Sequence, residues 1–194
     1  MKILKRQDLL SLEQYAEQRA DFRTRAMAHK KDRRVDIGPS LSLYFEDRLT
    51  IQYQIQEMLR IEKIFEAGAI QAELDTYNPL IPDGSNLIAT GMFEFEDVEL
   101  RQRRLAELVG VENHIWLKVG ALEKVYAIAD EDLERSTDTK TSAVHFLRFE
   151  LNEEMTTAAS TGSEISFGVD HDFYPYETVA EDRIKQSLSR DICS

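Results

Sequence analysis

The chain has 194 residues, 42% of them hydrophobic and 31% charged, with only 4 Pro and 8 Gly. That length and composition suffice for one sizeable core and exclude wholesale disorder. A single cysteine, Cys193, excludes an internal disulfide or a multi-cysteine zinc or iron–sulfur site within the chain. No apolar run reaches the ~20 residues that span a bilayer, and Met1–Arg6 leads into charged sequence without the apolar stretch of a secretion signal, so a reducing cytoplasm is the expected location.

The net charge of −12 is uneven: residues 1–63 hold 13 Lys/Arg against 10 Asp/Glu, whereas 64–194 hold 11 against 26. His29, Lys30, Lys31, Arg33 and Arg34 form a candidate anion patch for a phosphate or an acidic partner. The competing explanation is a solvated basic face, or one turned toward the molecule's own acidic half. A pI near 4.8 makes nucleic acid a poor partner.

Along the chain, Ser11-Leu12-Glu13-Gln14 has the pattern of a capping box and predicts a helix running to about His29. After Gly38-Pro39, Leu41–Phe45 alternates as a short strand. From Asp47 to about Glu66, Ile51, Ile55, Met58, Ile61 and Phe65 recur at helical steps, with Gly68 as the expected terminator. Ile70–Thr76 predicts another short helix and Leu87–Phe95 a strand. Asp97 is the predicted cap of a helix from Val98 to about Val109. His114–Val119 and Lys124–Ile128 predict a hairpin around Gly120, and Asp130 one or two helical turns through Arg135. Ser142–Leu151 alternates over its whole length, with His145, Leu147 and Phe149 on one face. A helix at Glu153–Ala159, a strand at Ile165–Val169 and a helix at Glu181–Ser189 complete the chain. Strands clustered at hairpin spacing between early and late helices predict an α+β fold. The expected arrangement is one domain over 1–194, a helical portion at about 1–77 packed on a mostly antiparallel sheet at about 78–194.

The helix after Asp47 carries more hydrogen-bonding groups than packing requires. Gln52, Gln56, Glu57 and Arg60 make a polar strip, read as a surface for a small polar ligand or a partner. The competing explanation is a solvated helix face with an ordinary ion pair worth ~0.3–0.5 kcal/mol. The loop from Asn78 to Asn86 is stiffened by Pro79 and Pro82, so Asn78, Asp83 and Asn86 would be presented with little ordering cost; it is equally a stiff connection into the next strand. The expectation that joins them is that Gln56 and Asp83 border one hollow.

For catalysis, Glu57, His145 and His171 are the acid–base candidates, with Arg60 or Arg148 as an anion clamp. A lone histidine on an apolar strand face such as His145 is more often a satisfied core residue. Asp170-His171-Asp172 is the one histidine flanked by carboxylates, and a metal-binding protein is the weaker alternative it offers, but adjacent residues point in different directions, so at best two of the three could share an ion and no metal is assigned. No phosphate loop, dinucleotide fingerprint or nucleophile elbow occurs, and no cofactor is indicated.

Several strings, taken together, resemble an uncharacterised bacterial family of about 190 residues, a domain of unknown function. They are Ala28–Lys31 with Arg33-Arg34, Phe45–Arg48 leading into Ile55–Arg60, Asn78–Gly84, Tyr126–Asp130 and Val144–Phe149. The resemblance implies a bacterial cytoplasmic protein, often encoded near rubrerythrin-like and iron–sulfur redox proteins. It therefore implies a redox or iron–sulfur partner and assigns no catalytic residue.

Overall fold

The Ser11 hydroxyl accepts the Gln14 N–H at 3.3 Å while Gln14 Oε1 accepts the Ser11 N–H at 3.1 Å. This reciprocal cap starts α1 (Leu12–Lys31) where the sequence predicts. The structure is a computed structural model that describes residues 2–131, 135–137 and 139–192.

A strand that the sequence analysis does not anticipate, β1 (Arg34–Ile37), follows directly and pairs with β2 (Leu41–Phe45). Val35 and Ile37 face the core while Arg34 and Asp36 face water. The turn between them is pinned from across the molecule: the Tyr174 hydroxyl accepts the N–H of Ser40 at 2.8 Å and of Leu41 at 2.9 Å, and donates to the Ile37 carbonyl at 2.7 Å.

Asp47 caps α2 (Arg48–Ile61), its Oδ1 accepting from Leu49 N and Thr50 N. The expected extension of this helix to Glu66 is corrected. It stops at Ile61 because Lys63 adopts a left-handed conformation with φ of 55°, and Ile61 and Phe65, predicted on the buried stripe, are 61% and 70% exposed. Gly68 does not terminate this helix; it lies in the first turn of α3 (Ala67–Tyr77).

The remaining elements are β3 (Asn86–Phe93), α4 (Val98–Glu107), β4 (Ile115–Val119), β5 (Val125–Tyr126), β6 (Ile128–Ala129), β7 (Val144–Glu150), α5 (Glu153–Ser160), β8 (Ile165–Val169), β9 (Glu177–Val179) and α6 (Asp182–Ile192). Asp97 caps α4 by accepting from Leu100 N at 2.7 Å. The helical turns expected from Asp130 to Arg135 fall largely on 132–134, outside the described residues. The strand expected over Lys124–Ile128 is split at Ala127. Its N–H donates to Ile115 O at 2.8 Å, so β5 stays with β4, while Ile128 and Ala129 pair with β7.

The fold is α+β, with two antiparallel sheets ordered β1-β2-β3-β7-β6 and β5-β4-β8-β9. Phe45 and Phe149 of the first sheet meet Phe167 of the second at ring separations of 5.1 and 6.2 Å. Leu43, Leu87, Leu147, Ile115, Leu117 and Ile165 are closed around them, and Met155, Leu188 and Ile192 join from α5 and α6. The amino-terminal helices keep separate apolar clusters: Ile51, Ile55 and Leu59 of α2 with Leu74 of α3 and Leu4, and Tyr15, Phe22 and Ala26 along α1. No helix among the described residues is long and apolar enough to cross a membrane.

Candidate functional site

Gln52 and Gln56 of the α2 polar strip are turned inward, onto the chain's own amino-terminal segment, while Arg60 stays exposed. Gln56 is fully buried, its Oε1 accepting the Leu10 N–H at 2.6 Å and its Nε2 donating to the Leu10 carbonyl at 3.3 Å. Asn78 does the same for Leu4, accepting its N–H and donating to its carbonyl at 2.9 Å each, and Gln52 donates to the Asp8 carbonyl at 2.6 Å. An extended segment outside any sheet has unpaired backbone groups, and side-chain amides supply the donor and acceptor that a neighbouring strand would offer.

Glu57 joins α2 to α1. It accepts from the Tyr15 hydroxyl at 2.6 Å, from Arg19 at 2.8 and 2.9 Å, and from Arg60 at 3.1 Å. Arg19 above all holds its carboxyl down at about 2. In the proline loop, Asp83 Oδ1 accepts from Ser85 N and Ser85 Oγ, both at 2.8 Å, and Asn86 Oδ1 accepts from Asp83 N at 3.2 Å. These groups hold the loop's own turn. The expected common hollow between Gln56 and Asp83 is therefore not formed at Gln56, which is sealed.

The basic segment divides. Arg33, expected in an anion patch, is 2% exposed and bonds the carbonyls of Phe45 and Glu46 as well as Ser187 and Asp191 of α6. Asp47 lies 3.5 Å from Arg33 and 2.5 Å from His29 Nε2. Burial raises the Asp191 carboxyl to about 6 despite Arg33 beside it. Arg34 pairs with Asp36 at 2.7 Å, and Lys30 lies over the Tyr53 ring at 5.8 Å. The chain's own acidic and aromatic groups thus engage His29, Lys30, Arg33 and Arg34; Lys31 ends α1 on its exposed side.

His145 is 1% exposed. Its Nδ1 lies 2.6 Å from Asp130 Oδ2, and its Nε2 lies 2.9 Å from Thr141 Oγ1 and 3.1 Å from the Ser142 carbonyl. Thr141 in turn donates to Glu112 at 3.1 Å. Asp130 adopts a φ of 52°, a conformation that aspartate tolerates better than most residues, and also caps Phe146 N at 2.9 Å. Both ring nitrogens are satisfied, as expected of a core histidine. Asp170 receives Trp116 Nε1, Tyr126 Oη and Lys124 Nζ. His171 Nδ1 accepts from Phe173 N while Nε2 lies 3.3 Å from the Val109 carbonyl. Among the described residues no group of three or more His, Cys, Asp or Glu converges on a metal position. The networks around Glu57, His145 and His171 share no residue, so the acid–base candidates are not assembled into one centre.

Open hollows among the described residues include one of about 510 Å³ between the amino-terminal segment and the end of α2, lined by Leu9, Leu10, Leu59 and Ile64, and one against the sheet. The latter, of about 590 Å³, separates the end of α3 and the following 3-10 turn, represented by Thr76, Tyr77, Pro79 and Leu80, from the sheet. Its floor is a cross-strand row. Ile88 of β3 and Ile128 of β6 both pair with Arg148 of β7, and Phe146 stands two residues along on the same face. Glu131 and Arg148 make its polar edge: Arg148 Nε and Nη2 donate to the two oxygens of Glu131 at 2.7 Å each, and Nη1 contacts Glu150. Of the predicted binding residues only Arg148 lines this hollow. The proline loop does contribute to it, but through Pro79 and Leu80 rather than through Asn78, Asp83 or Asn86. Its apolar walls have a composition that the sequence cannot separate from core.

The family described as "Protein of unknown function (DUF3501)" matches residues 3–192. A crystal structure of a novel protein of unknown function from Burkholderia pseudomallei K96243 is similar at 52% identity, covering 98% of this chain and 100% of that one, with a TM-score of 0.92. No curated protein sequence matches.

Proposed function

The chain belongs to the DUF3501 family, and from the geometry above we propose that it is an accessory binding protein that holds a small, largely apolar molecule between α3 and the sheet. The observation that carries this reading is the hollow of about 590 Å³ walled by Tyr77, Leu80, Ile88, Ile128 and Phe146. Binding sites for small molecules are commonly concave, apolar and of about 300–1,000 Å³, with a few polar groups at one side to orient the ligand. Glu131 and Arg148 are such groups. Ile128, 41% exposed on a two-residue strand, leaves the mouth open to solvent. The redox or iron–sulfur partner implied by the family resemblance is the setting in which we place this role.

The catalytic alternative draws less support, because the groups suited to proton transfer are each engaged in separate networks. The test is titration with the uncharged fluorescent probe N-phenyl-1-naphthylamine. Saturable binding of one probe per chain, lost in Ile128→Trp and Thr76→Trp while both variants keep the wild-type unfolding curve, is the expected result. No binding, or binding that both tryptophans leave unchanged, overturns the reading.

A further inference from the structure

Given that reading of the hollow, we infer that its occupant is an amine, an apolar body bearing a cationic head that sits against Glu131. The edge of the hollow offers one guanidinium, Arg148, to two carboxylates: Glu131 through two bonds of 2.7 Å and Glu150 in direct contact. Arg135, over the Phe146 ring at 4.6 Å, is itself paired with Asp130 at 3.3 Å. Among the described residues the charge at the edge is therefore net negative although an arginine stands in its centre.

This arrangement discriminates between ligand heads. A carboxylate or phosphate reaches Arg148 only by displacing Glu131, and then lies between Glu131 and Glu150 with one cation to share. An ammonium disturbs nothing. An ionised carboxylate has about four acceptor sites, and Arg148 occupies two of those on Glu131. The Glu131 side chain is 51% exposed, so its remaining lone pairs are open to a donor. Tyr77 lines the same hollow, and an aromatic ring face also favours a cation. The body of the ligand would lie along Leu80, Ile88 and Ile128, where each further methylene tightens binding about four-fold.

The experiment is displacement of N-phenyl-1-naphthylamine from the full chain at pH 7 by decylamine, decanol and decanoate, which share one apolar body. Decylamine is expected to displace the probe at a concentration at least about ten-fold below decanoate, with decanol between them. Glu131→Gln with Glu150→Gln is expected to erase that order, each displacement being referred to the probe affinity measured on the same variant. Decanoate matching or surpassing decylamine overturns the inference and leaves the hollow as a binding site. A preference for decylamine that survives both substitutions also overturns it, because the net charge of −12 rather than the edge of the hollow would then be its source. Failure of the probe itself to bind removes the binding reading and this inference together.

Discussion

Gln56 commits both ends of its amide to one residue, Leu10, forty-six positions earlier in the chain. Truncation leaves two backbone groups in a closed interface without partners, each costing about 1–3 kcal/mol. Gln56→Met, which preserves volume, is expected to lower the unfolding free energy by about 2 kcal/mol in urea titrations. A change below ~0.5 kcal/mol would mean that Leu10 finds water instead.

Glu57 should set the acid limb of stability. Its carboxyl is held at about 2 in the folded chain against an ordinary 4.5, so its contribution is present above pH 4.5 and lost as pH falls toward 2. Because Arg19 and Arg60 are 36% and 39% exposed, screening reduces that contribution to about 1–2 kcal/mol. Glu57→Gln should flatten the decline in urea midpoint between pH 5 and pH 3, and an unchanged slope would contradict this account.

Asp191 acts with the opposite sign. Its carboxyl rises from an ordinary 3.8 to about 6 on folding, so the folded chain binds more protons and stability falls as pH rises through that window, by up to about 3 kcal/mol. Asp191→Asn keeps an acceptor for Arg33 and should remove this slope between pH 4 and 6. Urea midpoints measured across that range on both proteins check it, and parallel curves would refute it.

Gly168 lies flat beneath the indole of Trp116, the chain's one tryptophan. A Cβ there would come within 2.2 Å of Trp116 Cζ2, and the ring is 2% exposed and held by its bond to Asp170. Gly168→Ala should cost about 1–3 kcal/mol and shift tryptophan emission to the red. Unchanged emission and stability would show that the indole yields easily.

Elements fixed by neighbouring residues could be read from the sequence: the Ser11 and Asp97 caps, and the strand over Ile165–Val169. The end of α2 could not, because the apolar periodicity continues through Ile61 and Phe65 into solvent while the turn is made at Lys63, a residue type with no preference for that conformation. β1 and β9, at four and three residues, carry too little alternation to stand out. The glutamines of α2 are a different case. Their polarity is visible, but the partners of Gln52 and Gln56, at Asp8 and Leu10, are distant in sequence, so two groups that read as part of a surface form an internal clamp. Tyr77, Leu80, Ile88 and Phe146 carry no local mark that separates a cavity wall from a core.

The passage of the backbone from one sheet to the other at Ala127 makes a seam. On its two sides Tyr126 is laced to Trp116 and Ile128 to Arg148, so the two layers are stitched along that margin. The opposite margin, where β1 and β9 are the outer strands, is closed by side chain instead: the Tyr174 hydroxyl ties the β1–β2 turn to the connection between β8 and β9. In Tyr174→Phe, which removes that tie, amide protons at this margin should exchange with solvent before those beside the seam, and the molecule should loosen under heat from there inward.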